Sequence, residues 1–183
     1  MTKDLEYKLL YSIVVAGKSA SFAENAMRRL YDHLVERDYW RGNWKGALLT
    51  AYNMGAVMNA VKASRLGNYT KCSRAIVDFI FWPYDLQTCT AKELELIHGI
   101  RYKTSRFFLR WSDRRERYAV LDTHILKWLV SKGHNVQLKT PQSWKRYQAV
   151  TDLFLAEADA LGVHPVDLDR ELWLRMNTSG IRE

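Results

Sequence analysis

Hydrophobic positions recur along most of this chain at intervals of three and four, the period of an α-helix, and nowhere alternate cleanly. Leu5 to Val15 opens with apolar residues at helical spacing. Phe22 to Val35 repeats the pattern, with Arg28 and Arg29 on another face. Trp40 to Gly42 reads as a break. One long helix is predicted from Trp44 through Ala63, its apolar positions supplied by Leu48, Leu49, Tyr52, Met54, Val57, Met58 and Val61. Gly67 ends it, and a helix from Tyr69 to Phe81 is closed by Pro83, which lacks an amide and restricts the residue before it. Thr90 and Glu93 have the spacing of a capping box, so a short helix through Leu96 or His98 follows.

After Gly99 the helical pattern resumes from Tyr102 to Trp111. A charged loop, Ser112 to Arg117, leads through the apolar run Tyr118 to Leu121 into a helix from Thr123 to Val130. Lys132 to Asn135 is a stop. Thr140 and Pro141 read as a cap and first helical residue, with the helix running towards Leu161. Gly162 ends that helix and Pro165 starts the last, with Leu168, Leu172, Trp173 and Met176 along one face. No strand is predicted, and the expected class is all-α.

Composition narrows the classes. The 183 residues suit one domain over 1–183, and 48% hydrophobic with 26% charged content excludes a disordered chain. Nine Gly and three Pro exclude collagen-like or linker-rich designs. Cys72 and Cys89 make neither a disulfide framework nor a four-ligand zinc site, and read as buried thiols of a reducing cytoplasm. The opening MTKDLEYKLL lacks the apolar core of a signal peptide, and no stretch has the ~20 apolar residues of a membrane span. No apolar heptad seam is present, so a monomer is expected. Seven Trp and ten Tyr accompany a net charge of +8. Cations suit phosphates and flat rings suit bases, so the balance leans towards nucleic acid.

The charge is concentrated. Arg101 to Arg117 holds seven basic residues (Arg101, Lys103, Arg106, Arg110, Arg114, Arg115, Arg117) and two acids, a net +5 of the total +8. Read plainly, a charge run is a solvated face. Here it follows a tight turn, with Gly99 at the bend and Ile100 as an apolar pin between two helices. Such a turn aims the free amides of the second helix outward, where they bind phosphate without reading sequence.

Nineteen residues beyond Lys103 stands Asp122, at the mouth of an apolar helix. In that pairing the chain resembles the helix-hairpin-helix DNA glycosylases, and within them the archaeal-type 8-oxoguanine DNA glycosylase/AP lyase subgroup. Gly99-Ile-Arg-Tyr-Lys-Thr-Ser-Arg-Phe-Phe-Leu-Arg110 is similar to that subgroup's G-I-G-Y-K-E-A-S-H-F-L-R run. Ala119-Val-Leu-Asp-Thr-His-Ile-Leu126 is similar to its A-I-L-D-R-H-I-L. Ala47 to Ala51 resembles its helix near the DNA entrance, and Asp167 to Met176 its closing L-D-x-x-L-W helix. The resemblance covers most of the chain from about Trp44 onward.

The resemblance implies a helix-hairpin-helix glycosylase fold of two helical lobes with the active site between them. The hairpin would occupy about 90–111 and the loop of the catalytic aspartate 112–123. It implies a bifunctional enzyme of base excision repair, acting on double-stranded DNA whose damaged base, 8-oxoguanine, is flipped out of the stack. Lys103 would be the nucleophile and Asp122 would stabilise the oxocarbenium-like sugar and move the lysine proton. A lysine nucleophile forms a Schiff base, and β-elimination then makes the enzyme a lyase. No cofactor and no catalytic metal is implied. Gly99, Arg101, Arg106, Arg114 and Arg115 would contact DNA, with Trp173 and the terminal Glu183 at the base pocket. Lys45 and Asn53 would touch the strand near the entrance.

Plainer readings stand beside these. Lys103 alone is a solvated lysine, Asp122 alone a helix cap, and Trp173 alone core packing. His124 packs or holds a backbone group, and His98, where such hairpins commonly carry proline, has no assigned role. Two departures from the pattern matter. Arg101 replaces the second hairpin glycine, so its backbone must avoid the left-handed region or carry strain of about 1 kcal/mol. The subgroup's terminal lysine, whose carboxylate helps read the base, is replaced by Gly180-Ile-Arg-Glu183, which puts the identity of the base in doubt. Two alternatives remain: the same fold acting on a modified pyrimidine of the kind found in viral DNA, or a non-catalytic DNA-binding module.

Overall fold

The computed structural model describes residues 5–114 and 116–178, with the side chains of 176–178 left aside. Among the described residues the chain is all-α, in ten helices and no strand. These are α1 (Leu5–Val15), α2 (Ala20–Glu36), α3 (Trp44–Asn53), α4 (Val57–Ala63), α5 (Tyr69–Phe81), α6 (Ala91–Leu94), α7 (Tyr102–Trp111), α8 (Thr123–Ser131), α9 (Trp144–Ala160) and α10 (Pro165–Thr178). The chain divides into two compact units, residues 1–108 and 109–183, with α7 beginning in the first and ending in the second.

In the first unit α1 is apolar around its circumference rather than along a stripe. Its residues from Lys8 to Val14 are all buried, as expected of a helix enclosed on every side. It packs against α2, α3 and α5, and α4 fills the gap between α2 and α5. Leu9, Met27, Leu30, Leu34, Leu48, Val61 and Phe79 form the interior. The aromatic excess is spent largely on packing. Trp44 lies edge-on to Trp40 at 5.4 Å, and Tyr31 meets Trp40 at 4.8 Å between ring centres. Cys72 and Cys89 are free thiols, both buried.

The predicted helix over Trp44 to Ala63 is two helices. Gly55 takes φ +65°, and its amide bonds Tyr52 O at 2.9 Å while the Ala56 amide bonds Ala51 O at 2.8 Å. That pair of bonds is a Schellman stop, which closes α3 before α4 can begin. Apolar periodicity runs straight through the break, so the pattern hides it.

In the second unit α8, α9 and α10 pack around Leu126, Leu129, Tyr147, Phe154, Ala158, Leu168 and Leu172. Phe154 is fully buried, worth roughly 1.5–3 kcal/mol in transfer terms, and meets Trp128 at 5.9 Å. α9 starts at Trp144 behind Ser143, not at Pro141. The Thr140 hydroxyl that was expected to cap it donates instead to Leu121 O at 2.9 Å, and it lies three residues ahead of Ser143, which holds the N-cap position. Trp173 does not share the buried face of Leu168 and Leu172, being 44% exposed, and the Met176 side chain lies outside the described residues.

Gly55→Ala is expected to lower folding stability by about 1 kcal/mol, because a Cβ there meets no neighbouring atom and only the backbone cost remains. Urea denaturation measures it; an unchanged midpoint would contradict the Schellman account.

Candidate active site

The segment that resembles the hairpin is built on two local devices. Thr90 Oγ1 accepts from the Glu93 amide while Glu93 Oε2 accepts from the Thr90 amide, the reciprocal capping box expected from the sequence. The turn that follows is held from below. Asp78 on α5 accepts from the His98 amide at 2.7 Å, and Ile97 and Ile100 are both buried. Gly99 adopts φ +82°, and a Cβ there would stand 2.4 Å from Lys71 Cε. Arg101 is not among the residues with positive φ, so the missing second glycine brings no left-handed strain.

Within the first unit, Lys103 lies one residue into α7 and its side chain is exposed. The burial expected of a nucleophilic lysine is therefore not present in the free chain. Arg101 is also exposed. Arg106, expected at the DNA surface, is instead buried and committed inside the unit. Its guanidinium pairs with Glu95, and it also bonds Ser105 Oγ at 2.8 Å and Tyr102 O at 3.2 Å. Spacing on a helix cannot distinguish such an arginine from a phosphate ligand; the acidic Glu95 opposite it is the missed signal. Lys45 is likewise occupied, donating from Nζ to Trp82 O at 2.9 Å, while Asn53 is exposed at the end of α3.

The second unit holds Asp122. Ahead of it, Tyr118 to Leu121 is buried and has no helical or strand partner, so its backbone groups need side chains. Three supply them. Tyr147 OH donates to Ala119 O at 2.8 Å and accepts from the Leu121 amide at 3.3 Å. Thr140 takes Leu121 O, and Asp169 Oδ2 accepts from the Val120 amide at 3.4 Å. Asp122 then caps α8, its Oδ1 accepting from the amides of His124 at 2.9 Å and Ile125 at 3.0 Å. The plain reading of Asp122 as a cap is thus correct, and it fixes the rotamer of the carboxylate. His124 is half-buried and contributes its amide to the cap.

Asp169 is nearly enclosed and pairs with Arg110 of α7. Burial pushes its carboxyl up to about 6, and the Asp122 charge adds to the rise; Arg110 and the Val120 amide oppose it. Burial, with Glu116 beside it, likewise raises the Tyr118 phenol. The basic loop is less free than its composition suggests. Arg114 pairs with Glu116, and Arg117 grips Asp159 with two bonds of 2.7 and 2.8 Å. Arg115 and Glu183 lie outside the described residues. Trp173 presents its ring on an exposed face of α10, beside the equally exposed Leu174. Among the described residues no group of three His, Cys, Asp or Glu side chains is arranged to hold a metal ion, and no helix is long and apolar enough to cross a membrane.

Tyr147→Phe removes one hydroxyl that serves two buried backbone groups. It is expected to cost about 2–4 kcal/mol in folding stability, well above a surface tyrosine such as Tyr84. Thermal and urea unfolding measure it, and a loss under about 0.5 kcal/mol would remove Tyr147 from the support of Asp122.

No protein-family model matches the chain, and no solved structure matches it. A curated protein does: the chain is 36% identical over 77 residues to a protein named 8-oxoguanine DNA glycosylase/AP lyase from Thermotoga sp. (strain RQ2). The matched stretch spans 41% of this chain and 36% of that relative, so the likeness extends over little more than a third of the relative's length.

Proposed function

We propose that this chain is a DNA glycosylase with AP lyase activity, of the helix-hairpin-helix kind, and that its substrate is duplex DNA bearing a damaged purine, 8-oxoguanine first among them. The observation that carries the reading is the 77-residue similarity to a protein of that name. It is supported by the residues on which the chemistry would fall: an exposed Lys103 at the start of α7 and a rotamer-locked Asp122 at the mouth of α8.

The base is turned out of the stack, and Lys103 and Asp122 act together at one site on its sugar. As the glycosidic bond breaks, its electrons leave with the base and positive charge spreads over the anomeric carbon and ring oxygen. The negative charge of Asp122 stabilises that sugar and accepts the proton lost by the Lys103 amine. The neutral amine bonds to the anomeric carbon, the sugar ring opens, and a Schiff base results. Loss of a proton from the adjacent carbon then expels the 3′ phosphate. Bound DNA would supply the desolvation that the exposed Lys103 lacks alone.

Phosphate contacts would come from the amides around Gly99 and the first turn of α7, with Arg101 and Arg114 as cations; Arg106 is excluded by its burial. Trp173 is the proposed stacking surface for the base, a role that its exposure supports. Arg115 and Glu183 keep the DNA-contact and base-pocket roles proposed from the sequence. The chain works as a monomer in the cytoplasm, held to DNA by charge.

Borohydride trapping on duplex oligonucleotides with single lesions tests the reading. A covalent adduct is expected with 8-oxoguanine, abolished by Lys103→Gln and slowed by about 10²–10⁴ in Asp122→Asn. Trapping by a modified pyrimidine alone would move the substrate and keep the mechanism. Tight duplex binding without an adduct from any lesion would overturn the enzymatic reading in favour of a DNA-binding module.

A further inference from the structure

Asp169 is the most unusual charged group of the second unit: a nearly enclosed carboxylate set against another carboxylate, Asp122, and against Arg110. Its pairing with Arg110 is not by itself explained by stability. A buried ion pair of this sort is often no better for folding than apolar residues of the same volume. What distinguishes it is its position. One oxygen holds the Arg110 guanidinium, and the other takes the Val120 amide, two residues before the carboxylate that caps α8.

Charge bookkeeping gives the arrangement a purpose. Asp122, Asp169 and Arg110 together carry one net negative charge. Removing the Asp169 charge would leave Arg110 and Asp122, both charges that act on Asp169, with a net charge of zero. We propose that Asp169 is a positioning residue for Asp122: it anchors the backbone leading to the cap and neutralises Arg110, leaving the Asp122 carboxylate an uncompensated negative charge to set against an electron-deficient sugar. This rests on the glycosylase reading and deepens it.

The charged and titratable groups facing Asp169 are Arg110 from α7, and Asp122 and Tyr118 from the segment before α8; Tyr118 is itself flanked by Arg114 and Glu116. Among the described residues, α8 beyond its cap and α9 set no charge against it. The Asp169 carboxyl, raised to about 6, holds its proton below that pH and is ionised above it. The net charge at Asp122 is therefore present at neutral pH and is lost as the pH falls through about 6.

The test is single-turnover base release from the duplex that traps, followed from acid to neutral pH, with unfolding midpoints recorded for each protein. Wild type is expected to lose rate as the pH drops through about 6. Arg110→Leu should abolish that limb, because with no guanidinium present the protonation of Asp169 still leaves Asp122 one net negative charge. Asp169→Asn should be at least about tenfold slower at neutral pH, with the limb gone and duplex affinity little changed. The decisive protein is Arg110→Leu with Asp169→Asn. It lacks the ion pair altogether but restores one net negative charge, so most of the rate should return, still without the limb.

A purely structural role predicts the opposite, a double variant as slow as Asp169→Asn or slower, and that result overturns the proposal. Should Asp169→Asn fail to fold, Asp169→Glu and the double variant carry the test: the glutamate must keep both rate and limb, the double variant rate alone. A wild type that releases no base from any lesion duplex removes the functional reading itself. An active wild type whose double variant stays slow removes only the role given to Asp169.

Discussion

Four residues without helical or strand partners, Tyr118 to Leu121, run through the interior of the second unit, and much of what surrounds them exists to make that tolerable. A buried amide or carbonyl left unpaired costs about 1–3 kcal/mol, and four such groups would consume a large part of a domain's stability. Tyr147 from α9, Thr140 from the loop before it and Asp169 from α10 each reach in to meet this demand. Both α9 and α10 are thus tied to one short irregular strip. Asp122 inherits its place from the same strip, since it is the first residue beyond it.

The first unit solves a different problem with local means. Its turn at Gly99 is fixed by a capping box on one side, an aspartate from α5 beneath, and two buried isoleucines. The capping box and the isoleucines are short-range devices, and only Asp78 reaches further, 20 residues to His98. The second unit depends on side chains drawn from 19 to 49 residues away in sequence.

That difference decides what could be read from the chain alone. Helix content, the capping box, the Gly99 turn and the capping place of Asp122 are written in neighbouring residues, and were legible. The break at Gly55 was not, because apolar residues on both sides keep helical phase across it. Thr140 was misread for a related reason: a threonine before proline has the form of a cap, and only the three-dimensional fold brings it to Leu121 O. Arg106 failed similarly, its half-buried partner Glu95 lying eleven residues earlier at the end of α6. Lys103 and Asp122 stand out by their spacing and setting, whereas Asp169, in plain view within the closing helix, has no local feature to separate it from a surface acid.

The cap on α8 has a further consequence. Both of its hydrogen bonds fall on Oδ1 of Asp122 and leave Oδ2 out of the cap. One oxygen is tethered to the backbone, and that tether sets the direction of the other. A carboxylate held this way has little side-chain rotational freedom left to surrender when a cation arrives. The helix has frozen it in advance, so the entropy of ordering is charged to folding and not to each encounter with a ligand.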